Sequence, residues 1–419
     1  MGWSLDLDYC GYQKKSHLPS CMKDLVNNDR IIYRLLETIY DLNYDNISSV
    51  DIQPQDPGSD IIGNLSDSGR LAVSVKTNDG SKHKFHWFVK IQPQNCENSG
   101  LVSDLNLFRN EINFYQIIAP KLKAFVEESN TIDDINFDIP ELIHAEIEEN
   151  ENRAIIILED LVYSGYRQCK DDNENNCLSR ENALLAVRAI AKIHAASYAL
   201  QIKNNIDLGA VHPQLEAAAY IWSNEEMTSR LYSIKDGYCD IVRESKQPDS
   251  RSLVDRVQRT FDSHEKLRMM TERRVSSNHG DGINCLQHGD FNFNNLMFRE
   301  DYDGSTSVMI VDWQMTYTGN AGGDLAYLLM SSMDPQMFEM DEQSIKEQYF
   351  KMFNQIFLSL VKEDYNEVQE MLEEDYHNSL ALGFLFSCGN VISNSKLDRQ
   401  KIALFAYHLC VEAAIRDLI

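Results

Sequence analysis

Two short segments of the 419-residue chain carry side chains that could do chemistry together. Residues 287–298 read Q-H-G-D-F-N-F-N-N-L-M-F, and residues 309–314 read M-I-V-D-W-Q. Asp290 stands five residues before Asn295, and Asp312 follows Asn295 by seventeen, at the end of an apolar run. Phosphoryl transfer needs these residue types: a carboxylate to orient an attacking hydroxyl and take its proton, and hard oxygen ligands for Mg²⁺ on nucleotide phosphates. H-x-D-x-x-x-x-N followed by a hydrophobic strand ending in Asp is far more specific than an isolated glycine loop. Asp290 is therefore the candidate base, with Asn295 and Asp312 the candidate metal ligands. The plain alternative is a polar loop with an Asx-turn and a capping Asp.

For the three to converge, two short strands must lie side by side. Residues 296–298 and 308–311 have strand character, and Asp303-Gly304 between them has turn chemistry. Upstream the order reads helix, strands, helix, strand. Ile31, Ile32, Leu35, Leu36 and Ile39 recur with helical period within 25–40. A turn is predicted over 54–60, and strands at 71–75 and 85–91 joined through Asn78-Asp79-Gly80. Leu105, Phe108, Ile112, Tyr115 and Ile118 define a helix over 105–125 that Pro120 ends or kinks. Residues 154–158, A-I-I-I-L, form a buried strand. Beyond residue 160 helices dominate, at 183–200 with Ser179 as N-cap, 252–272, 323–333, 342–361 and 402–418. The polar stretch 171–177 is a loop, and the acidic run 146–151 is solvated surface.

Composition narrows the partners. Lys and Arg number 39 against 65 Asp and Glu, a net charge of −26. Nucleic-acid binding rests on cationic neutralisation of phosphates, and docking on anionic lipid rests on the same sign, so neither is expected. The first ten residues lack a basic region and an apolar core, so no signal peptide is expected; Asp6 breaks the myristoylation pattern after Gly2. No 18-residue apolar run stands out as a membrane span. Nine cysteines are scattered without a C-x-x-C pair, which fits reduced thiols in the cytoplasm rather than zinc.

H-G-D-F-N-F-N-N-L-M-F with I-V-D-W-Q resembles the ecdysteroid-kinase-like branch of the choline kinase and aminoglycoside phosphotransferase group, over about residues 25–415. That branch reads H-G-D-x-x-x-N-N and D-F-Q; here the aromatic is Trp313. The resemblance implies an α+β, bilobal, protein-kinase-like fold. Its small mixed α/β N-lobe with an antiparallel sheet would span 1–160 and its larger, mostly helical C-lobe 161–419. It implies ATP and Mg²⁺, bound between the lobes, and a hydroxylated small molecule as acceptor. Lys90, in W-F-V-K-I, matches the lysine on the α- and β-phosphates, and Glu111, in F-R-N-E-I, the helix carboxylate that pairs with it. Residues 158–161, L-E-D-L, match the hinge whose backbone at Glu159 and Leu161 would hold adenine. Ser59, between Gly58 and Gly63, matches a phosphate loop that is not G-x-G-x-x-G. His288 is implied as a scaffold residue and Asp324, in G-G-D-L-A-Y, as the anchor of the catalytic loop. His194 reads as a core histidine.

The acceptor is less legible. Choline kinases carry an acidic residue where this chain has Gln314, and a cationic amine wants carboxylates around it. A hydroxysteroid needs an apolar cleft; Tyr220, Trp222, Met330, Phe384 and Phe386 are candidates, but such residues are more often core than pocket, so no substrate shell is assigned. An ecdysteroid-like hydroxysteroid or another hydroxylated compound is the first expectation. A choline, ethanolamine or other amino-alcohol kinase is the second, and an inactive kinase-like binding scaffold the third. The last is disfavoured because Lys90, Glu111, Asp290, Asn295 and Asp312 are all present.

Overall fold

The computed structural model describes residues 29–55, 67–92, 106–129, 135–148, 153–168, 177–213, 215, 225–263, 265, 267–269, 282–335, 338–362, 367–393 and 399–419. The chain divides into two compact units, one drawn from residues 1–100 and 141–163, the other from 101–140 and 164–419.

Among its described residues, the first unit packs one α-helix on one sheet. Helix α1 (Asp29–Tyr40) is followed by strands β1 (Ile47–Gln55), β2 (Asp67–Thr77), β3 (Lys82–Ile91), β4 (Leu142–Glu148) and β5 (Arg153–Glu159). They form an antiparallel sheet in the order β1-β2-β3-β5-β4. Ile32, Leu35 and Leu36 of α1 pack on Leu71, Val73 and Val75 of β2, Trp87, Val89 and Ile91 of β3, and Ile155 and Ile157 of β5. The period of two along each strand sends these residues to one face and leaves Lys90 on the other. Each such side chain contributes roughly 1.5–3 kcal/mol by leaving water. The β2–β3 turn is the one expected: Gly80 has φ 89°, and Asp79 accepts from the Ser81 N–H at 2.9 Å. Pro54, expected to begin a turn, instead lies within β1 opposite Leu71. An edge strand has an outward side where a missing N–H costs no ladder bond.

The second unit begins with a helical run of three pieces: α2 (Leu107–Asn113), a π-turn (Phe114–Ile118) and α3 (Ala119–Glu128). Pro120 therefore does not end the helix. It sits in the first turn of α3, where a proline without N–H is tolerated, and the widened turn before it absorbs the register change. This run, expected in the first lobe, packs in the second unit: Asn110 Nδ2 donates to Gln314 O (2.8 Å) and Thr316 O (2.7 Å), and Phe114 stacks on Trp313 at 4.0 Å.

The rest is mostly helix: α4 (Arg180–Asn204), α5 (Leu208–Val211), α6 (Glu225–Glu244), α7 (Ser250–Thr260), α8 (Gly322–Ser332), α9 (Phe338–Val361), α10 (Val368–Ser393) and α11 (Arg399–Ile415). Ser179 caps α4 as expected, accepting from the Asn182 N–H at 3.2 Å. By length and apolar composition α4 could cross a membrane, but 72% of its apolar window is buried inside the protein. Two small sheets hold the loops of interest. Strands β6 (Arg167–Gln168), β8 (Leu296–Glu300) and β9 (Thr306–Ile310) form one; β7 (Asn284–Gln287) and β10 (Tyr317–Asn320) form the other. An antiparallel sheet in one unit and predominantly helical structure in the other make the α+β class expected.

Candidate active site

The loop after β7 turns at Gly289, where φ is +86°. A Cβ at that position would lie 2.2 Å from Met315 O, so only glycine fits. The turn presents Asp290, whose carboxylate is held on both oxygens. Oδ1 accepts from Asn292 Nδ2 (2.8 Å) and from the Tyr327 hydroxyl (3.3 Å), and Oδ2 accepts from Asn295 Nδ2 (3.0 Å). Asn295 Nδ2 also reaches Asp290 O at 2.8 Å, which fixes the five-residue spacing seen in the sequence. A short 3₁₀ turn (Phe293–Asn295) then leads into β8.

The β8–β9 hairpin brings Asp312 back to this loop. Val311 N–H donates to Asn295 O at 3.0 Å, extending the strand pair past the end of β9. Asp312 itself has φ 68° and ψ 61°, a left-handed conformation that Asp and Asn adopt more readily than other side chains. Its Oδ2 accepts from Gln314 Nε2 at 3.1 Å. Burial, and then the nearby Asp312 charge, push the Asp290 carboxyl up to about 7, against the pull of its hydrogen bonds from Asn295, Tyr327 and Asn292. A carboxyl poised there exchanges protons at neutral pH.

Beneath the loop lies a fully buried scaffold. Asp324, in the first turn of α8, accepts from His288 N–H (2.6 Å) and Gly289 N–H (3.0 Å). It also meets His194 Nε2 at 3.2 Å. His288 Nδ1 accepts from Asp290 N–H at 3.2 Å and Nε2 lies 2.9 Å from Val311 O. Only a neutral ring with the proton on Nε2 satisfies both contacts, and burial lowers the pKa of His288 in the same sense. His288 is thus tied at both nitrogens, as is His194, whose Nδ1 lies 2.7 Å from the Tyr349 hydroxyl.

The residues present suit a hard divalent cation. The Asp312 carboxylate and the Asn295 amide oxygen are both oxygen donors, and a cation beside Asp312 would offset the negative charge that, after burial, raises Asp290. Asn295 offers its Nδ2 to Asp290, and nothing among the described residues donates to its Oδ1. No cage of three His, Cys, Asp or Glu side chains exists among the described residues. A partial oxygen set of this kind is typical of Mg²⁺ shared with phosphate groups.

The remaining expected residues fall elsewhere. Lys90 is buried near the end of β3, opposite Ile156, in the first unit. Glu111 is buried on α2 in the second. Glu159 ends β5 opposite Trp87, its N–H donating to Glu141 O at 3.0 Å. Asp160 takes Arg70 Nε on both oxygens at 2.9 Å, and nothing among the described residues accepts from the Leu161 N–H. Ser59, Tyr220 and Trp222 lie outside the described residues. Asn292 and Tyr327 went unassigned in the sequence although both stand within the quoted motifs. Tyr327 follows Asp324 by three, a spacing that puts both on one face of α8, and that was the available signal.

A model of the ecdysteroid kinase-like family matches residues 64–363. The chain belongs to the ecdysteroid kinase-like family. In this ecdysteroid kinase-like chain the matched range takes in Lys90, Glu111, Glu159, Leu161, His288, Asp290, Asn295, Asp312 and Asp324, and leaves Ser59 out. Curated protein sequences give no match. Among solved structures, the GDP complex of wild-type aminoglycoside 2'-phosphotransferase-IIIa is similar at 12% identity and TM-score 0.41, over 93% of this chain and 99% of that one. The ethanolamine kinase of Plasmodium vivax is similar at 11% identity and TM-score 0.37, over 93% and 91%.

Proposed function

We propose that this chain is an ATP- and Mg²⁺-dependent small-molecule kinase that phosphorylates a hydroxyl of an ecdysteroid-like hydroxysteroid. The observation that carries the reading is the meeting of Asp290, Asn295 and Asp312 at one loop, in a chain of the ecdysteroid kinase-like family. Asp290 orients the acceptor hydroxyl and takes its proton as the oxygen attacks the γ-phosphorus. The bond from that phosphorus to the leaving ADP oxygen breaks, giving ADP and a phosphate monoester. Asn295 and Asp312 would hold Mg²⁺, which would supply neutralisation of phosphate charge. Lys90 would steady the α- and β-phosphates, Glu111 stands at the position of the family's helix carboxylate, and the Leu161 N–H is the donor offered to adenine. The neutral Gln314, engaged with Asp312, adds no negative charge for a cationic amine, which favours the hydroxysteroid over choline. A cytoplasmic setting is supported by five described free cysteines, all buried.

The test is ADP release from ATP·Mg with hydroxysteroids, choline, ethanolamine and aminoglycosides in parallel, with Asp290→Asn as control. Steroid-stimulated turnover that disappears in the variant is the expected result. Turnover with choline or ethanolamine alone replaces the acceptor, and acceptor binding without ADP release makes the chain a scaffold.

A further inference from the structure

Tyr327 and Asn390 stand behind the carboxylate of Asp290 in an arrangement that the phosphoryl-transfer chemistry leaves unused. The Tyr327 hydroxyl, on α8, lies 3.3 Å from Asp290 Oδ1 and also 3.3 Å from Asn390 Oδ1, on α10. A phenol has one proton and cannot donate to both oxygens at once. Meanwhile Asn390 Nδ2 is buried with no partner among the described residues. Amide oxygen and nitrogen are told apart only through the hydrogen bonds they make. Turning the Asn390 amide over resolves the conflict. Its N–H then donates to the phenol oxygen, and the phenol proton belongs wholly to Asp290. The group left without a partner becomes a carbonyl, which buried structure tolerates better than an orphaned N–H.

We propose that Asn390, Tyr327 and Asp290 form a directed relay, Asn390 Nδ2–H to Tyr327 Oη and Tyr327 O–H to Asp290 Oδ1, that sets the angle of the catalytic carboxylate. The inference rests on Asp290 being the base of the reaction above. Tyr327 is a positioning residue. Its ring is held edge-on by Phe386 at 5.8 Å, and it stands three residues after Asp324. One helix therefore supports the loop backbone through Asp324 and the carboxylate through Tyr327. With two donors on Oδ1 and one on Oδ2, the relay leaves Oδ2 as the oxygen turned to the acceptor hydroxyl.

The test is a double-mutant cycle on the full chain, read as kcat and KM for the acceptor that stimulates ADP release. Tyr327→Phe should lower kcat about tenfold and leave KM within about twofold, since a tilted base damages positioning rather than binding. Asn390→Leu should lower kcat in the same sense, and the double variant should be no slower than Tyr327→Phe alone. If the phenol instead serves Asn390, Asn390→Leu leaves kcat unchanged or raises it, and the relay is refuted. Losses that multiply refute it as well. Should Asn390→Leu fail to fold, Asn390→Ala takes its place in the cycle. If no acceptor stimulates the wild type, the kinase reading fails separately. The cycle is then read as urea midpoints, with and without Asp290→Ala. Coupling between 327 and 290 that shrinks when Asn390 is replaced supports the relay, and additive midpoints overturn it.

Discussion

Replacing Gly289 with alanine should cripple the loop through backbone geometry alone. The added carbon would stand 2.2 Å from Met315 O and 3.0 Å from its carbonyl carbon, where a relaxed carbon–oxygen contact needs roughly 3.2 Å or more. The obstacle is backbone, so it cannot swing aside, and the loop or the 313–315 turn must move by about 1 Å. A positive φ of 86° costs an L-residue roughly 1–2 kcal/mol more. The displacement also stretches the charge-assisted bond from Gly289 N–H to Asp324, which contributes about 1.5–3 kcal/mol. The sum is on the order of 3–5 kcal/mol in unfolding free energy, read by urea titration. Because Asp290 is the next residue, an error of about 1 Å should lower kcat by roughly a hundredfold even in the protein that remains folded. A variant that unfolds at the wild-type midpoint, or turns over at the wild-type rate, would show that nothing presses on that carbon.

Other perturbations follow the same logic. Arg70→Met leaves Asp160, buried and bonded on both oxygens, without its cation, and should cost about 3–5 kcal/mol by urea titration; adding Asp160→Asn should recover part of that loss, and no recovery would mean the pair is not the cause. Asn110→Ala strands the carbonyls of Gln314 and Thr316 and should cost about 2 kcal/mol together with a fall in kcat, because the loop it supports begins at Asp312. A kcat equal to wild type would separate that bridge from the site. Asp375 accepts from Ile283 N–H and Asn320 Nδ2, yet burial pushes its carboxyl up to about 6. A raised folded pKa contributes stability below the ordinary carboxyl value that is lost as pH climbs through about 6. Asp375→Asn should therefore gain on wild type by on the order of 2 kcal/mol between pH 4 and pH 7, measured by urea unfolding at each; a difference flat with pH refutes the assignment.

The chemistry was more legible than the architecture. Asp290, Asn295 and Asp312 stand close in sequence, and a two-strand hairpin suffices to join them, so spacing alone predicted their meeting. The β2–β3 hairpin and the A-I-I-I-L strand were visible for the same local reason. β1 was missed because Pro54 reads as a turn until its edge position is known. The four-residue strands β7 and β10 are too short to show a period. What could not be read were contacts made across long stretches of chain. Asn110 supports a loop some two hundred residues away, Phe114 stacks on Trp313, and Asn390 reaches Tyr327. Each is a polar or aromatic residue on a helix, of a kind that composition leaves free to face anywhere. The same blindness put α2 with the sheet, when its Asn110 and Phe114 commit it to the helical unit.

One carboxylate, Asp324, gathers two loop amides from inside a helix with every residue buried, α8. Most enzymes keep their working loops on the softer rim of the molecule, where local opening precedes collapse. Here the working loop is moored to the deepest timber of the hull. Heat should consequently silence the enzyme and melt it in one event, so that the midpoint of a simple melting curve doubles as the temperature limit of turnover.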